Sequence, residues 1–380
     1  MKWLFPIIYC VVATTAAAQT IDTLTIYSGQ LKENRKLVVY TPWMYQSDSS
    51  KKFEVIYAFD AQYIDVFAMV HATAAYQSLN ICPMIVVGVI SEDRSKDFLP
   101  KNENPNTAKN YKGHLGNADA FLKFIADEAA PVIDKKYRTL PKKIAVGHSN
   151  GATFITYSLL KRPDLFEAYI AVDPNFGYDD CLFDRLLQQF NSNSLKNEKY
   201  YYTCTSNYND SLWIKGQQLV FNGFNTKKLQ EKIHFVCDDF SKTDNHLTVF
   251  QPGVLYGVRS YFNYQYFTPE RLTAYYSELD RKHLVRLTPS RLLQLGSDLY
   301  FSDKRECGLN VLLWASKNYP DDLDLCYGVA EVYQLMEQKE NASKYFRRFQ
   351  EKLQEQRNKI KKEEYHKRKQ DSDNRLKALQ

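Results

Sequence analysis

The sequence lacks the patterns that mark a protein as membrane-spanning, zinc-binding or nucleic-acid-binding. Beyond the N-terminus, no stretch approaches the 18 apolar residues of a transmembrane helix. Its seven cysteines form no C-x-x-C or Cys/His ligand spacing, which argues against a zinc site. There is no low-complexity tract, and the net charge of +6 is concentrated in the C-terminal tail rather than on a nucleic-acid-binding module. We therefore expect a globular protein with no metal, organic cofactor, nucleic-acid partner or membrane insertion.

Residues 1–18 have the layout of a secretory signal peptide. A basic second residue precedes an apolar run over residues 3–12, and small residues lead to Ala18. This pattern predicts cleavage after Ala18 and a periplasmic or secreted protein. An oxidising compartment permits disulfides, and Cys204 and Cys237 lie on neighbouring predicted strands, but scattered free thiols remain the alternative.

Residues 19–265 alternate strand-like and helix-like segments. The apolar runs at 54–59, 84–90 and 143–147 have the length of strands buried on both faces. Residues 118–132 place apolar side chains at helical spacing. This alternation predicts an α/β domain with a mostly parallel sheet and helices on both faces.

Residues 266–350 lose the strand pattern and carry a 34-residue repeat. At positions 34 residues apart, small residues recur as small residues and large residues as large residues. The positions used for the comparison are Leu292, Leu295, Gly296, Leu299, Gly308, Leu312 and Ala315, followed by Cys326, Val329, Ala330, Tyr333, Ala342, Phe346 and Phe349. The period resembles tetratricopeptide repeats, with two antiparallel helices per unit, although generic hairpins in coincidental register remain the alternative. Two units are too few to stand alone, so we expect them to dock on the α/β domain or on further helices. Residues 351–380 predict a charged, solvated helix that frays towards its end.

A G-x-S-x-G motif at residues 147–151 lies between an apolar strand and a helix. In that context the serine occupies a strained turn that exposes its hydroxyl, so Ser149 is the candidate nucleophile. The backbone amide of Asn150, at the start of the helix, would face a developing oxyanion. A second amide should come from the loop after strand 54–59, where we select Gln62.

A serine nucleophile needs a base, and in this arrangement the chain order is serine, acid, histidine. His246 is the candidate base because it lies in a polar loop between the last predicted strand and the following helix. The acid should follow the strand at 200–205, which points to Asp210. Asp210 might instead cap the helix that begins near Leu212, a common role for aspartate.

Residues 20–265 resemble the Putative esterase family, which includes esterase D, the siderophore esterases and the feruloyl esterases. The segments that carry the resemblance are residues 55–60, 85–97, 147–151 and 163–170, followed by Asn245-His246. The resemblance implies an α/β-hydrolase fold and carboxylic-ester hydrolysis. Residues 209–212 also look like the acid-bearing segment of the family, which favours Asp210. Some bacterial members carry a helical, tetratricopeptide-like C-terminus.

Two departures from the family pattern lie near the expected substrate cleft. Relatives usually have Ser-Pro followed by aromatic residues where this chain has Asp173-Pro174, and Asp-Gly where it has Asp60-Ala61. Siderophore or feruloyl specificity therefore cannot be transferred directly. The side chains that we expect at the cleft are Asp60, Arg94, Asn175 and Phe176. A salt bridge with Asp97 is the alternative role for Arg94.

These observations predict an exported serine esterase that forms an acyl-enzyme on Ser149. Acylated carbohydrates, aromatic esters and siderophore-type esters are the substrate classes that the resemblance implies, and the same residues would serve acyl transfer. The alternative is a hydrolase-fold scaffold whose helical repeats recruit a periplasmic protein or a second copy of the chain.

Overall fold

In the computed structural model, residues 20–78, 82–110 and 116–380 are described, so the predicted signal peptide lies outside the described residues. One eight-stranded sheet organises residues 20–239. Its strands are β1 (Thr20–Ser28), β2 (Glu33–Thr41), β3 (Phe53–Phe59), β4 (Met84–Val89), β5 (Thr139–His148), β6 (Ala168–Val172), β7 (Lys199–Thr205) and β8 (Ile233–Asp239). Their order across the sheet is β1-β2-β4-β3-β5-β6-β7-β8. The pairs β1–β2 and β2–β4 are antiparallel, and the strands from β4 to β8 run parallel.

Helices connect the strands and continue beyond the sheet. Within the sheet region they are α1 (Met44–Ser47), α2 (Ile64–Gln77), α3 (Arg94–Phe98), α4 (Pro105–Asn110), α5 (Ala118–Lys123), α6 (Ala130–Lys136), α7 (Asn150–Lys161), α8 (Tyr178–Gln189), α9 (Ser211–Phe224) and α10 (Lys227–Gln230). After β8 come α11 (Phe250–Gln265), α12 (Pro269–Arg281), α13 (Pro289–Phe301), α14 (Arg305–Asn318), α15 (Leu323–Leu335), α16 (Lys339–Glu355) and α17 (Lys362–Leu379). A π-helical turn at Phe124–Ala129 joins α5 to α6, and two short 3₁₀ turns occupy Ser192–Ser194 and Arg357–Lys359.

The central strands are buried on both faces, which explains their unbroken apolar sequences. All residues of β3, β4 and β6 are buried. Alternate side chains along each strand enter separate apolar clusters on the two faces of the sheet. Helices on both faces therefore remove the apolar surface of the sheet from water, and burial of this surface is the main stabilising contribution.

The predicted fold class is confirmed, with two differences in detail. The antiparallel strand β1 was not predicted, because it is an edge strand whose sequence alternates polar and apolar residues only weakly. The helix predicted over 118–132 continues to Lys136 and contains the π-helical turn. Helical periodicity alone does not distinguish an inserted π turn, since the side-chain pattern shifts by only one residue.

Four helices of the C-terminal region follow the predicted 34-residue period. α13 and α15 begin at Pro289 and Leu323, and α14 and α16 begin at Arg305 and Lys339. Five of the seven compared positions are buried in both units, among them the fully buried pair Leu312 and Phe346. The region packs on the α/β domain as expected, since one apolar cluster runs from the sheet through α11 to α15.

The charged helix predicted over 351–380 is interrupted in the structure. α16 ends at Glu355, and α17 folds back along it from Lys362 to Leu379. Tyr365 is buried on α15 and α16, and Arg368 forms an ion pair with Asp324 at 2.7 Å. Because only a few apolar side chains anchor α17, charge dominates its composition although one face is packed.

The six cysteines among the described residues are free thiols. Cys204 on β7 lies opposite Asp238, whereas Cys237 on β8 lies opposite Thr203. Side chains alternate faces along a strand, so the two sulfurs point to opposite sides of the sheet. A disulfide between them would require a shift in register.

Candidate active site

The carboxyl ends of the parallel strands bring the candidate residues to one edge of the sheet. Ser149 follows β5, Asp173 follows β6, and His246 lies in the loop after β8. Asp60 follows β3 at the same edge. In open parallel sheets this edge is where ligands bind, because the loops that leave the strands converge there.

Ser149 occupies a strained turn between β5 and α7. Its backbone has φ 57° and ψ −122°, which an L-residue rarely adopts, and its N–H donates to the carbonyl of Val172 at 3.0 Å. A Cβ atom at Gly147 would lie 2.5 Å from the backbone of Gly151, so a side chain is excluded there. The glycine of the motif therefore permits the tight turn, as the strand–turn–helix context predicts.

His246 joins Ser149 to a carboxylate. The Ser149 hydroxyl lies 3.1 Å from His246 Nε2, and His246 Nδ1 lies 2.7 Å from Asp173 Oδ2. An Nδ1–H that donates to Asp173 leaves Nε2 as the acceptor for the serine hydroxyl. Both contacts have hydrogen-bond length, so the three side chains form a continuous chain.

Asp173 is fully buried and held by several donors besides His246. Gln217 Nε2 donates to Oδ1 at 2.7 Å, and the Ser206 hydroxyl donates to Oδ2. Burial alone would raise the pKa of Asp173, but the hydrogen bonds from His246, Ser206 and Gln217 hold it below its ordinary value. The carboxylate is therefore charged at neutral pH and oriented towards the imidazole.

The structure does not bring Asp210 to His246, which corrects the assignment of Asp210 as the acid. Asp210 Oδ1 accepts the backbone N–H groups of Leu212 and Trp213, each at 2.9 Å, and so caps the N-terminus of α9. This is the capping role that the sequence had left open. The order serine, acid, histidine fits Asp173 as well as Asp210. The signal that could have selected Asp173 is its position directly after the buried strand next to that of the nucleophile.

Arg94 pairs with Asp60 rather than with Asp97. Its Nε and one terminal nitrogen donate to the two carboxylate oxygens of Asp60 at 2.6 and 3.0 Å. Asp97 is instead buried against Arg35 in a second two-point pair at 2.7 and 2.8 Å. Asp60 is 2% exposed, so it does not line a cleft directly, and of this pair only Arg94 is in part accessible.

The two remaining predicted cleft residues have different environments. Asn175 lies beside the nucleophile turn, where its Nδ2 donates to Asn150 Oδ1 at 3.0 Å. Phe176 is fully buried and packs on Phe183 and Phe221, so its prediction as a cleft residue is wrong. An aromatic residue in a loop is ambiguous in sequence, because both a core and a ligand site use large apolar surface.

The predicted oxyanion donors also lie at this edge. Asn150 is the first residue of α7, directly after Ser149. Gln62 is tied to both neighbouring loops, since its side chain donates to Asp60 Oδ1 at 2.8 Å and accepts the Ser91 N–H at 3.0 Å. These contacts fix the backbone around Gln62 in place.

His148, which precedes the candidate nucleophile, was not predicted to have a role. Its Nε2 lies 2.8 Å from the His246 carbonyl oxygen, and the two imidazole rings stack at 4.7 Å. Burial, and then the proximity of His246, lower the pKa of His148 to about 4. His148 is therefore neutral at pH 7, and Nε2–H can donate to the loop that carries His246.

Within the described ranges 20–78, 82–110 and 116–380, no group of three or more histidine, cysteine, aspartate or glutamate side chains is arranged to hold a metal ion. None of the helices in the same ranges is long and apolar enough to cross a bilayer.

The fold and the site can now be compared with known proteins. The family model described as Putative esterase matches residues 28–216. The chain belongs to this family through that segment. The matched residues include the turn at Ser149 and the loop with Asp173, whereas His246 follows the matched segment.

Two curated siderophore esterases are similar to parts of the chain. The ferri-bacillibactin esterase BesA of Bacillus subtilis is 28% identical over 164 residues, which cover 39% of this chain and 56% of the relative. The siderophore enterobactin esterase of Emericella nidulans is 30% identical over 105 residues, which cover 25% of this chain and 34% of the relative. The matches thus span about half and one third of these relatives.

Solved structures share the fold over a larger part of the chain. An IroE-like serine hydrolase from Shewanella oneidensis has a TM-score of 0.60 at 23% identity, covering 79% of this chain and all of that one. An uncharacterised protein from Capnocytophaga ochracea has a TM-score of 0.56 at 16% identity and covers 87% of this chain and 94% of that one. At these identities the similarity establishes the fold.

Proposed function

We propose that the protein is a serine esterase that hydrolyses carboxylic esters. The observation that carries the proposal is the hydrogen-bonded chain from the Ser149 hydroxyl through His246 to Asp173, at 3.1 and 2.7 Å. Membership of the Putative esterase family and the similarity to siderophore esterases support it.

The proposed reaction has two halves. His246 Nε2 takes the proton of Ser149 as Oγ attacks the ester carbonyl carbon, and the same proton then passes to the leaving alcohol. Water attacks the resulting acyl-enzyme, with His246 again acting as base, and releases the carboxylic acid and free Ser149. Asp173 keeps Nδ1 protonated and stabilises the imidazolium formed in each half.

Backbone donors at the start of α7 and after β3 would stabilise the tetrahedral intermediate. We assign the amides of Asn150 and Gln62 to this role, because Asn150 begins α7 directly after Ser149 and Gln62 lies in a loop held by hydrogen bonds at the edge of the sheet. Donors fixed before the reaction stabilise the oxyanion without reorganisation. Arg94 supports this arrangement, since it bridges Asp60 and the His148 carbonyl at the nucleophile turn.

The substrate belongs to the classes implied by the family: acylated carbohydrates, aromatic esters or siderophore-type esters. The curated relatives are named for the siderophores on which they act, but each match covers only part of the relative. We further propose export, on the basis of the signal-peptide pattern in residues 1–18.

We also propose that α13 to α16 form two tetratricopeptide-like units. The 34-residue spacing of both helix pairs supports this proposal, as do the buried small residues where the helices cross. Gly296 and Gly308 meet at such a crossing, since a Cβ at Gly308 would lie 2.5 Å from the Gly296 carbonyl oxygen. Small residues at fixed repeat positions allow this close helix contact.

Hydrolysis of p-nitrophenyl acetate and butyrate tests the proposed activity. The protein should release p-nitrophenol, and Ser149→Ala and His246→Ala should each lose activity by several orders of magnitude, about 10³-fold or more. Asp184→Ala, on the surface of α8, is the matched control and should retain wild-type turnover. An inactive wild type, or Ser149→Ala with wild-type activity, would contradict the proposal and favour the binding-scaffold alternative.

A further inference from the structure

The start of α8 contains three consecutive residues in the left-handed region. Asp179, Asp180 and Cys181 have φ values of 51°, 53° and 58° and ψ values of 50°, 55° and 43°. None is a glycine, and each L-residue in this conformation brings Cβ too close to the backbone. Such a run persists only when surrounding contacts compensate for it, and strain of this kind often lies at functional sites.

Asp179 supplies the compensating contacts. Its carboxylate is 2% exposed and accepts the backbone N–H groups of Glu103 and Asn104, both at 3.0 Å. Arg185, six and five residues further along the chain, donates to the carbonyl oxygens of Asp179 and Asp180 at 3.2 and 2.8 Å. The buried carboxylate of Asp179 thus holds the left-handed turn against the loop before α4, and the guanidinium of Arg185 holds it against α8.

The fastened turn forms one wall of a cleft of about 660 Å³. Asn104, Thr107, Tyr208 and Trp213 also line the cleft. α9, which carries Trp213, packs closely on the segment before the turn: a Cβ at Gly216 would lie 2.3 Å from the Phe176 backbone. Both the turn and α9 are therefore held by close contacts.

The cleft adjoins His246 through two of its lining residues. The rings of Tyr208 and Trp213 contact the His246 imidazole, with centroids 5.0 and 4.9 Å away. Since the proposed mechanism has His246 protonate the departing alcohol, a group bound in this cleft is the alcohol part of the ester.

The chemistry of the lining favours a hydroxyl-rich, uncharged alcohol. Amide and carboxylate oxygens from Asn104, Asn106 and Asp180 can accept hydrogen bonds, and the rings of Tyr208 and Trp213 supply aromatic surface. Among the described residues that line the cleft there is no lysine or arginine. An anionic group in the cleft would meet the acidic side chains of Asp179, Asp180 and Asp210.

We propose that this cleft binds the alcohol part of the substrate and that Asp179 is a positioning residue that sets its shape. The inference rests on the proposed esterase function, because it needs His246 to act on the leaving group. It assigns Asp179 no part in bond making. The carboxylate acts by holding the strained turn against the loop at Glu103 and Asn104.

Two acetate esters with different alcohols test the proposal. p-Nitrophenyl acetate and glucose 6-acetate give the same acetyl-enzyme and differ only in the alcohol, and the p-nitrophenyl group has no free hydroxyl for the polar lining of the cleft to bind. Asp179→Asn keeps the size of the side chain but loses the charge and one acceptor. We expect KM for glucose 6-acetate to rise about tenfold, with kcat and the hydrolysis of p-nitrophenyl acetate changed by less than about twofold.

Two further variants make the result decisive. Asp184→Asn applies the same change on the same helix outside the cleft and should leave both substrates unaffected. Arg185→Ala removes the hydrogen bonds from the guanidinium to the turn and changes only an exposed side chain. It should also raise KM for glucose 6-acetate, by about threefold. This variant tests the proposal even if Asp179→Asn fails to fold.

The outcomes separate the two proposals. A wild type inactive on p-nitrophenyl acetate contradicts the esterase function itself. A wild type active on p-nitrophenyl acetate but not on glucose 6-acetate contradicts the assignment of the alcohol class. Equal losses on both substrates in Asp179→Asn and Arg185→Ala, or no change in either variant, overturn the positioning role of Asp179.

Discussion

At the carboxyl edge of the sheet, positive-φ residues occupy the turns that carry the site, with Ser149 at 57° and Asp173 at 44°. In the C-terminal helices the positive-φ residues His283, Asp303 and Glu337 each lie just after a helix end. A left-handed residue after a helix is an ordinary way to terminate it, because this conformation lets the following backbone N–H groups bond to the last carbonyl groups of the helix. The same backbone conformation therefore presents reactive groups in one region and ends regular structure in the other.

The two regions also differ in the kind of side chain that they bury. At the edge, the buried Asp173 is satisfied by polar donors from two loops and from α9. In the repeat region, buried positions such as Ala342 and Phe346 are apolar and recur with the helix period. We therefore expect substitutions at the edge to change activity more than stability, and substitutions in the repeats to do the reverse.

The largest expected effect is on activity at the edge. Asp173→Asn should lower kcat/KM for p-nitrophenyl acetate by about 10³- to 10⁴-fold, because the amide cannot both orient Nδ1–H and stabilise the imidazolium. Asparagine tolerates positive φ, so the fold should be retained. Asp210→Asn is the matched control and should keep activity within about twofold. Steady-state kinetics that show the opposite ranking would restore Asp210 as the acid.

The second largest expected effect is on stability in the helical repeat region. Phe346→Ala should lower the free energy of unfolding by about 3–5 kcal/mol, because a fully buried ring is replaced by a cavity. Activity per folded molecule should be unchanged. Urea unfolding measures the stability, with the exposed Arg347→Ala on the same helix as control. A large loss of turnover in folded Phe346→Ala would show that the two regions are coupled.

His148 predicts a pH dependence of stability. Its pKa is about 4 in the folded protein and about 6.5 when exposed, so the unfolded chain binds more protons between these values. Stability should therefore fall as the pH decreases from 6.5 to 4, by at most about 3 kcal/mol from this residue.

His148→Gln isolates this contribution, since glutamine can still donate to the His246 carbonyl but does not titrate. Urea unfolding of the two proteins between pH 4 and 7 should give a shallower slope for the variant. Parallel curves would mean that His148 does not titrate differently in the folded state.

The smallest effect concerns the helix cap at the edge. Asp210→Ala should lower the free energy of unfolding by about 1 kcal/mol, because α9 loses the acceptor for two backbone N–H groups. Thermal unfolding measures the change. Asp210→Asn, which retains a capping oxygen, should melt close to the wild type. A loss equal to that of Phe346→Ala would show that Asp210 does more than cap a helix.

Local sequence determined most of the elements of this protein and two members of the candidate site. Strands such as β3 and β4 could be recognised because burial on both faces requires unbroken apolar runs. The repeat could be recognised because helices that pack in the same way need side chains of similar size at a fixed period. Ser149 was identifiable from its motif, and His246 from its place after the last strand.

Tertiary structure alone decided which groups meet across loops. Asp173 and Asp210 both precede His246 in the chain, and only the positions of β6 and α9 place the first on the imidazole and the second on a helix end. For Arg94 the sequence suggested only Asp97 as an acidic partner, and the loop after β3 supplied Asp60 instead. Short sequence patterns record burial and local backbone preference, whereas a contact between distant loops depends on the spatial arrangement of the strands that carry them.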